Sequence, residues 1–242
     1  GHPDVFGMTG ESPAAWELRD RIAFVARRQD HVLVLGQSGT GKELAARALH
    51  ALSAQASGPL VARNAATIPD GLVAVVLFGN AKNYPNPGMA ERDGLVGAAN
   101  RGVLFLDEIG ELPEEAQANL LRVLDTDGEY QRLGESRTRR AKVRMVGATN
   151  RREESLKHDL RARFVHVIQV PGLADRREDI PLMARSLLTG IGDRDPEVGR
   201  ELASLAGPAG NAALPMSATL TEGLVRHDFT LHVRELGRLL WD

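Results

Sequence analysis

The residues with the types and spacing to do chemistry begin with Gly36-Gln37-Ser38-Gly39-Thr40-Gly41-Lys42-Glu43, directly after the apolar run Val32-Leu33-Val34-Leu35. A buried strand, a glycine loop and a helix start are what a phosphate-binding loop requires. Gly36, Gly39 and Gly41 let the backbone turn tightly and aim successive N–H groups at an anion. Lys42 supplies a point charge, and a helix beginning near Glu43 adds the positive end of its dipole. The general pattern asks for Ser or Thr after the lysine to ligate magnesium, and Glu43 stands there instead. Alone, the run reads as a nucleotide site or as an ordinary glycine-rich strand–helix turn.

A second cluster, Val103-Leu104-Phe105-Leu106-Asp107-Glu108, puts two acids at the carboxyl end of a buried strand. Open α/β sheets bind their ligands at that edge. There Asp107 would hold magnesium and Glu108 would polarise an attacking water. In isolation the pair fits an acidic helix cap equally well; after a phosphate loop the hydrolytic reading prevails. A third cluster, Val146-Gly147-Ala148-Thr149-Asn150, ends another core strand with an amide. Asn150 suits orientation of the lytic water, or a plain turn.

Positioning these groups takes strands alternating with helices. The pattern predicts helices over 12–28, 42–54, 70–78 and 113–125, and strands over 32–35, 60–64, 103–106, 130–133, 142–149 and 165–170. Residues 79–102, rich in Gly, Asn and Pro, read as a long loop. Such alternation predicts a parallel sheet covered on both faces. After Pro171 only helices follow, over 179–189, 196–206, 218–227 and 231–241. A domain boundary is expected near 171–176.

Thirty basic and 32 acidic side chains give a net charge of −2, so gross charge argues for neither nucleic-acid nor membrane binding. Without cysteine the chain has no disulfide framework and no thiolate metal site. No stretch approaches the ~18 apolar residues of a membrane span, and no signal peptide is visible. Gly1-His2-Pro3 reads as a cloning remnant.

Together the clusters resemble the AAA+ ATPases, and most closely the central ATPase domain of sigma-54-dependent transcription activators (bacterial enhancer-binding proteins). That family also carries Glu after the phosphate-loop lysine. The stretch Leu104-Phe105-Leu106-Asp107-Glu108-Ile109-Gly110-Glu111-Leu112-Pro113 is similar to its acidic motif. Leu120-Leu121-Arg122-Val123-Leu124, Gly147-Ala148-Thr149-Asn150, Arg177-Glu178-Asp179-Ile180-Pro181-Leu182 and Val233-Arg234-Glu235-Leu236 continue the match in the family's order. The resemblance implies a three-layer α/β, parallel-sheet P-loop nucleotide-binding domain over 1–172 and a smaller α-helical lid over 173–242. It implies ATP and Mg2+ as ligands, a cytoplasmic protein and a self-assembled ring, most simply a hexamer. It also implies sigma-54 RNA polymerase as partner, with DNA contacted only through domains outside these 242 residues.

Roles follow residue by residue from the same resemblance. Asn64 matches a residue that holds the water-activating glutamate until the nucleotide state changes, and Arg234 matches the lid arginine that senses phosphate. Phe6 and Gly7 fall where the adenine-pocket segment begins. Arginine fingers from a neighbouring subunit match Arg163 and Lys157; arginine is usual at the latter, and Arg161 is the other candidate. A planar guanidinium grips two phosphate oxygens where an ammonium cannot.

The chain departs from the family at two places. Where activators carry Gly-Ala-Phe-Thr-Gly-Ala, it reads Asn83-Tyr84-Pro85-Asn86-Pro87-Gly88. Two prolines stiffen that tip, while Tyr84 still offers a ring with a polar handle for a partner. A client other than sigma-54 is therefore the alternative reading. Before Arg234, Asp228-Phe229-Thr230-Leu231-His232 replaces a Trp-Pro-Gly-Asn approach, with Phe229 in the tryptophan's place. The basic run 132–140 is expected to be a second pore element or a solvated hairpin.

Overall fold

The computed structural model describes residues 3–125, 127–150, 156–206 and 216–241. The chain divides into two compact units: Arg21–Gly36 with Ala45–Gln169, and Gly1–Asp20 with Gln37–Leu44 and Val170–Asp242. The helices α1 (Pro13–Ala26) and α2 (Lys42–Ala51) pass from one to the other.

The first unit is built on five parallel strands: β1 (His31–Leu35), β2 (Leu60–Asn64), β3 (Val103–Asp107), β6 (Arg144–Thr149) and β7 (Phe164–Gln169). Their order is β2-β3-β6-β1-β7. The chain leaves β1 for the far edge, returns through β3 and β6, and then passes β1 to finish at β7. Strand order thus reverses beside β1, which marks the crevice at the carboxyl ends as the ligand edge. The central strands are the continuous apolar runs, and every residue of β6 is buried. The edge strands are less covered, with Ala62 and Arg63 exposed on β2 and Val165 and Gln169 on β7, as expected where only the interior of a parallel sheet is covered on both faces.

Side-chain alternation sorts the sheet's two faces. Leu33, Leu104, Leu106 and Met145 pack in one cluster with Leu77 of α3 (Val73–Phe78), Leu120 of α5 (Glu114–Leu124), Leu160 of α6 (His158–Ala162) and Phe164. Each such fully buried side chain contributes about 1.5–3 kcal/mol of transfer free energy. A Cβ at Gly147 would stand 3.0 Å from Phe164 Cζ and 3.2 Å from Ile109 Cδ1. The glycine in mid-strand therefore makes room for that packing.

Two expectations need correction. The segment read as a loop contains a helix, α4 (Gly94–Ala98), because Val96 is wholly buried and its burial organises the turn around it. Gly94 enters at φ +70°, where a Cβ would lie 2.5 Å from the Phe78 carbonyl carbon, so the glycines that suggested a loop serve close packing. The strand expected over 130–133 shrinks to β4 (Glu129–Tyr130), paired antiparallel with β5 (Arg139–Arg140) in a separate ribbon. Its basic side chains find acids of this chain. Arg132 is buried and paired with Glu91 and Asp93, Arg139 bonds Glu135 at 2.8 Å, and Arg140 bonds Glu129 at 2.9 Å.

In the second unit, α7 (Ile180–Arg194), α8 (Pro196–Ala206), α9 (Ala218–Arg226) and α10 (His232–Trp241) follow the expected helical order. Leu173, Ile180, Met183, Leu224, Phe229 and Leu236 form their core. Asp179 is almost fully buried and accepts hydrogen bonds from the Glu11 and Ser12 N–H groups and the Ser12 hydroxyl. That fastens the segment before α1 to the start of α7.

Candidate functional site

The phosphate loop from Gln37 onward lies in the second unit. Gly39 and Gly41 adopt φ +82° and +101°, the left-handed region that favours glycine. A Cβ on Gly39 would sit 2.2 Å from the Leu231 carbonyl oxygen and 3.0 Å from Arg234 Cβ, so the start of α10 lies directly against the loop. Arg234 Nη1 donates to Ser38 Oγ at 3.0 Å. The Gln37 carbonyl accepts from Thr40 Oγ1 at 2.9 Å and from Lys42 Nζ at 3.3 Å. Lys42 is 6% exposed. Glu43 occupies the first turn of α2, where a carboxylate suits the helix dipole.

The carboxylates lie in the first unit, at the carboxyl ends of neighbouring strands. Asn64 pairs in register with Asp107, Leu106 with Gly147, and Leu35 with Thr149. The Gly36 N–H donates to the Thr149 carbonyl at 3.3 Å. Sheet register alone therefore brings Asn64, Asp107, Glu108, Asn150 and Gly36 to one edge. Glu108 takes a left-handed conformation, φ +50° and ψ +44°. A non-glycine residue held there costs of order 1–3 kcal/mol, strain that concentrates at functional sites. Its N–H donates to Asp107 Oδ1 at 3.0 Å, and its Oε2 accepts the Asn150 N–H at 3.2 Å. Asn64 Oδ1 accepts the Ala66 N–H at 2.9 Å, which commits that oxygen to a short turn following β2.

The basic segment after β6 occupies a different place. Arg163 precedes β7 and so stands at the amino end of the parallel sheet; the six residues of β7 span about 20 Å to the opposite edge. Arg163 Nη2 pairs with Asp125 at 2.7 Å. Lys157 precedes α6 and pairs with Glu114 at 3.1 Å, while Arg161 donates to the Phe164 carbonyl at 3.1 Å.

The Sigma-54 interaction domain family matches residues 8–172. The chain belongs to that family. It is 38% identical over 237 residues to the Nif-specific regulatory protein of Bradyrhizobium diazoefficiens, covering 95% of this chain and 38% of that protein. To the transcriptional regulatory protein ZraR of Salmonella typhimurium it is 42% identical over 200 residues, 80% of this chain and 45% of that one. The solved structure of NtrX from Brucella abortus in complex with ATP superposes with a TM-score of 0.81 at 31% identity, covering 96% of this chain and 49% of that chain. The RuvB structure from Thermotoga maritima shares the fold, with a TM-score of 0.54 at 18% identity. The fold is thus the α/β P-loop type of the AAA+ proteins, as expected. The chain spans less than half the length of these curated relatives. Among the described residues, no helix is long and apolar enough to cross a membrane.

Beside this family frame, sequence reasoning missed residues that reach the phosphate loop. Arg176, buried and kinked to φ −146° and ψ 50°, donates to the Thr40 carbonyl at 3.3 Å; burial pulls its pKa below the usual arginine value. His232 donates to Gln37 Oε1 at 2.7 Å. Arg176 sits just ahead of the block 177–182, and His232 just ahead of the block 233–236. Adjacency to those blocks was the available signal.

Proposed function

We propose that the chain is the ATP-hydrolysing motor module of a bacterial sigma-54-type transcriptional regulator, coupling hydrolysis in a ring, most simply a hexamer, to remodelling of a transcription complex. The observation that carries this reading is Glu108, strained into a left-handed conformation and tied to the Asn150 backbone at the ligand edge of the sheet. Residues 1–172 act as the nucleotide-binding part and 173–242 as the lid, in a cytoplasmic protein whose DNA contacts belong to segments outside these residues.

Gly36 through Glu43 cradle the phosphates with backbone N–H groups, and Lys42 supplies charge. Asp107 would hold Mg2+. A single carboxylate at a strand end fits this ion, which keeps several waters and takes one or two carboxylates beside the phosphate oxygens. When bound, the ion supplies Lewis-acid neutralisation of phosphate charge. Glu108 polarises the attacking water and Asn150 orients it. Asn64 holds Glu108 in one nucleotide state by donating from Nδ2, the end of its amide opposite the oxygen that accepts the Ala66 N–H. Arg163, with Lys157 or Arg161, reaches the terminal phosphate of a neighbouring subunit. Its place at the amino end of β7 supports action between subunits rather than within one. Arg234 senses phosphate from the lid.

Tyr84, 41% exposed at the loop tip, is the proposed contact to sigma-54 RNA polymerase. The altered tip favours a different client as the second reading. Capture of sigma-54 by the chain bearing an ATP transition-state analogue separates the two. The first reading expects capture that falls at least about tenfold in Tyr84→Ala; no capture at all contradicts it and leaves the second.

A further inference from the structure

His232 opens α10 with φ +50° and is 5% exposed. Its ring lies on Gly172, where a Cβ would meet Cε1 at 2.7 Å, Nδ1 at 3.2 Å and Nε2 at 3.3 Å. Both ring nitrogens are engaged. The Leu173 N–H donates to Nδ1 at 3.2 Å, and Nε2 stands 2.7 Å from Gln37 Oε1. A backbone N–H can only donate, so Nδ1 carries a lone pair and the single ring proton sits on Nε2, pointed at Gln37. The imidazole is therefore bound in one tautomer and uncharged.

Gln37 is engaged at both ends. Its side chain meets His232, and its carbonyl receives Lys42 Nζ and Thr40 Oγ1. We propose that His232 is a positioning residue for the phosphate loop: in its neutral form it braces Gln37, and through the Gln37 carbonyl it sets Lys42, so that protonating Nδ1 sets it against the Leu173 N–H, shifts the ring from its seat beside Gln37 and weakens nucleotide binding. The inference rests on the nucleotide-site reading of the loop.

The groups facing the ring agree with this polarity. From the turn 173–179 come the Asp175 carboxylate and the Arg176 guanidinium, from α10 itself Glu235, and from the loop the uncharged Gln37 amide. Burial outweighs the carboxylates and holds His232 below the ordinary histidine value of 6.5. A proton on Nδ1 would also face the Leu173 N–H donor, with nothing to accept it. The neutral form is thus the working form near pH 7, and it gives way only in acid, at a pH below the ordinary histidine range.

The test is binding of a fluorescent ATP analogue by the full chain, from about pH 8 to about pH 5, in wild type, His232→Gln, His232→Ala, Gln37→Ala and Lys42→Ala. Glutamine keeps a donor near the Nε2 position and cannot be charged. Comparing it with wild type cancels titration of the ligand itself. The expected result is that His232→Gln binds like wild type at about pH 8 and stays flat, while wild type loses at least threefold relative to it in acid. His232→Ala and Gln37→Ala should bind roughly tenfold more weakly at every pH. Gln37→Ala removes the brace from the loop side and leaves the helical core untouched, so its weakening separates positioning from misfolding. If His232→Gln follows wild type across the whole range, or Gln37→Ala binds within twofold of it while Lys42→Ala does not bind, the brace is refuted and the nucleotide site stands. A wild type that binds no nucleotide refutes both.

Discussion

The approach to α10 and the loop 80–93 both lack residues the family carries, yet each departure is resolved by different physics. Before α10, the turn that lacks that proline and glycine is held by a carboxylate from the block 233–236, which itself matches the family. Glu235 accepts from the Thr230 and Leu231 N–H groups, the Thr230 hydroxyl and His227 Nε2. Four donors converge on one side chain and build the turn that backbone preference alone would not, while Phe229 fills the core beneath, edge-on to His227 at 4.6 Å. In the loop the support comes from below. Asn80 is wholly buried, and its Nδ2 is shared among the Ala81, Tyr84 and Ala90 carbonyls. Arg132 clasps Glu91 and Asp93, and the Tyr84 ring lies on Gly134, where a Cβ would meet it at 2.3 Å. One departure sits on a turn held by the hydrogen bonds of a single carboxylate; the other keeps a firm base and changes what its tip presents. Framework can therefore be retained while the residues at a loop tip change.

The largest stability effect should come from the loop's base. Asn80→Asp keeps the shape but turns a donor into a buried carboxylate facing three carbonyls. A loss of about 3 kcal/mol or more is expected in urea unfolding, with release of the loop seen as faster proteolysis between 81 and 93. Stability within about 0.5 kcal/mol of wild type would mean the base is not what holds the tip.

A smaller effect is expected at the cap. Glu235→Ala should lower Tm by roughly 3 °C near neutral pH. Its pH dependence has a definite sign. Hydrogen bonding from His227, then from the Leu231 N–H, holds the Glu235 pKa down to about 2 from an ordinary 4.5. The depressed carboxylate stabilises the folded chain fully above about 4.5, and that contribution fades as pH falls from there to about 2. The Tm gap between wild type and Glu235→Ala should be constant above pH 5 and close toward pH 2. A gap that widens in acid would assign the turn to something other than this carboxylate.

Much of the fold was legible because its signals are local. The core strands announce themselves as β-branched and leucine runs ending in polar residues, and parallel register then carries Asn64, Asp107, Glu108 and Asn150 to one edge. What stayed hidden depends on partners distant in sequence. Arg144 reads as an ordinary strand charge, but it is buried and donates to the Val25 and Ala26 carbonyls that end α1 and to the Asp30 carbonyl beyond it. His31 looks like a strand-end polar residue, yet it accepts the Met145 N–H and bonds the Leu124 carbonyl, with burial lowering its pKa. The helix α4 was masked by glycines whose role is tight packing. Arg132 looked solvated until its two acids, some forty residues earlier in the chain, folded onto it.

The most direct measurement is steady-state ATP turnover by Glu108→Gln beside its nucleotide affinity. The substitution keeps the side chain's size and removes the carboxylate charge that the water-activating role requires. Binding within about threefold of wild type, with turnover reduced at least about a hundredfold, is the predicted result. Undiminished hydrolysis would contradict the assignment of Glu108, and with it the claim that the carboxyl edge of this sheet is the hydrolytic site.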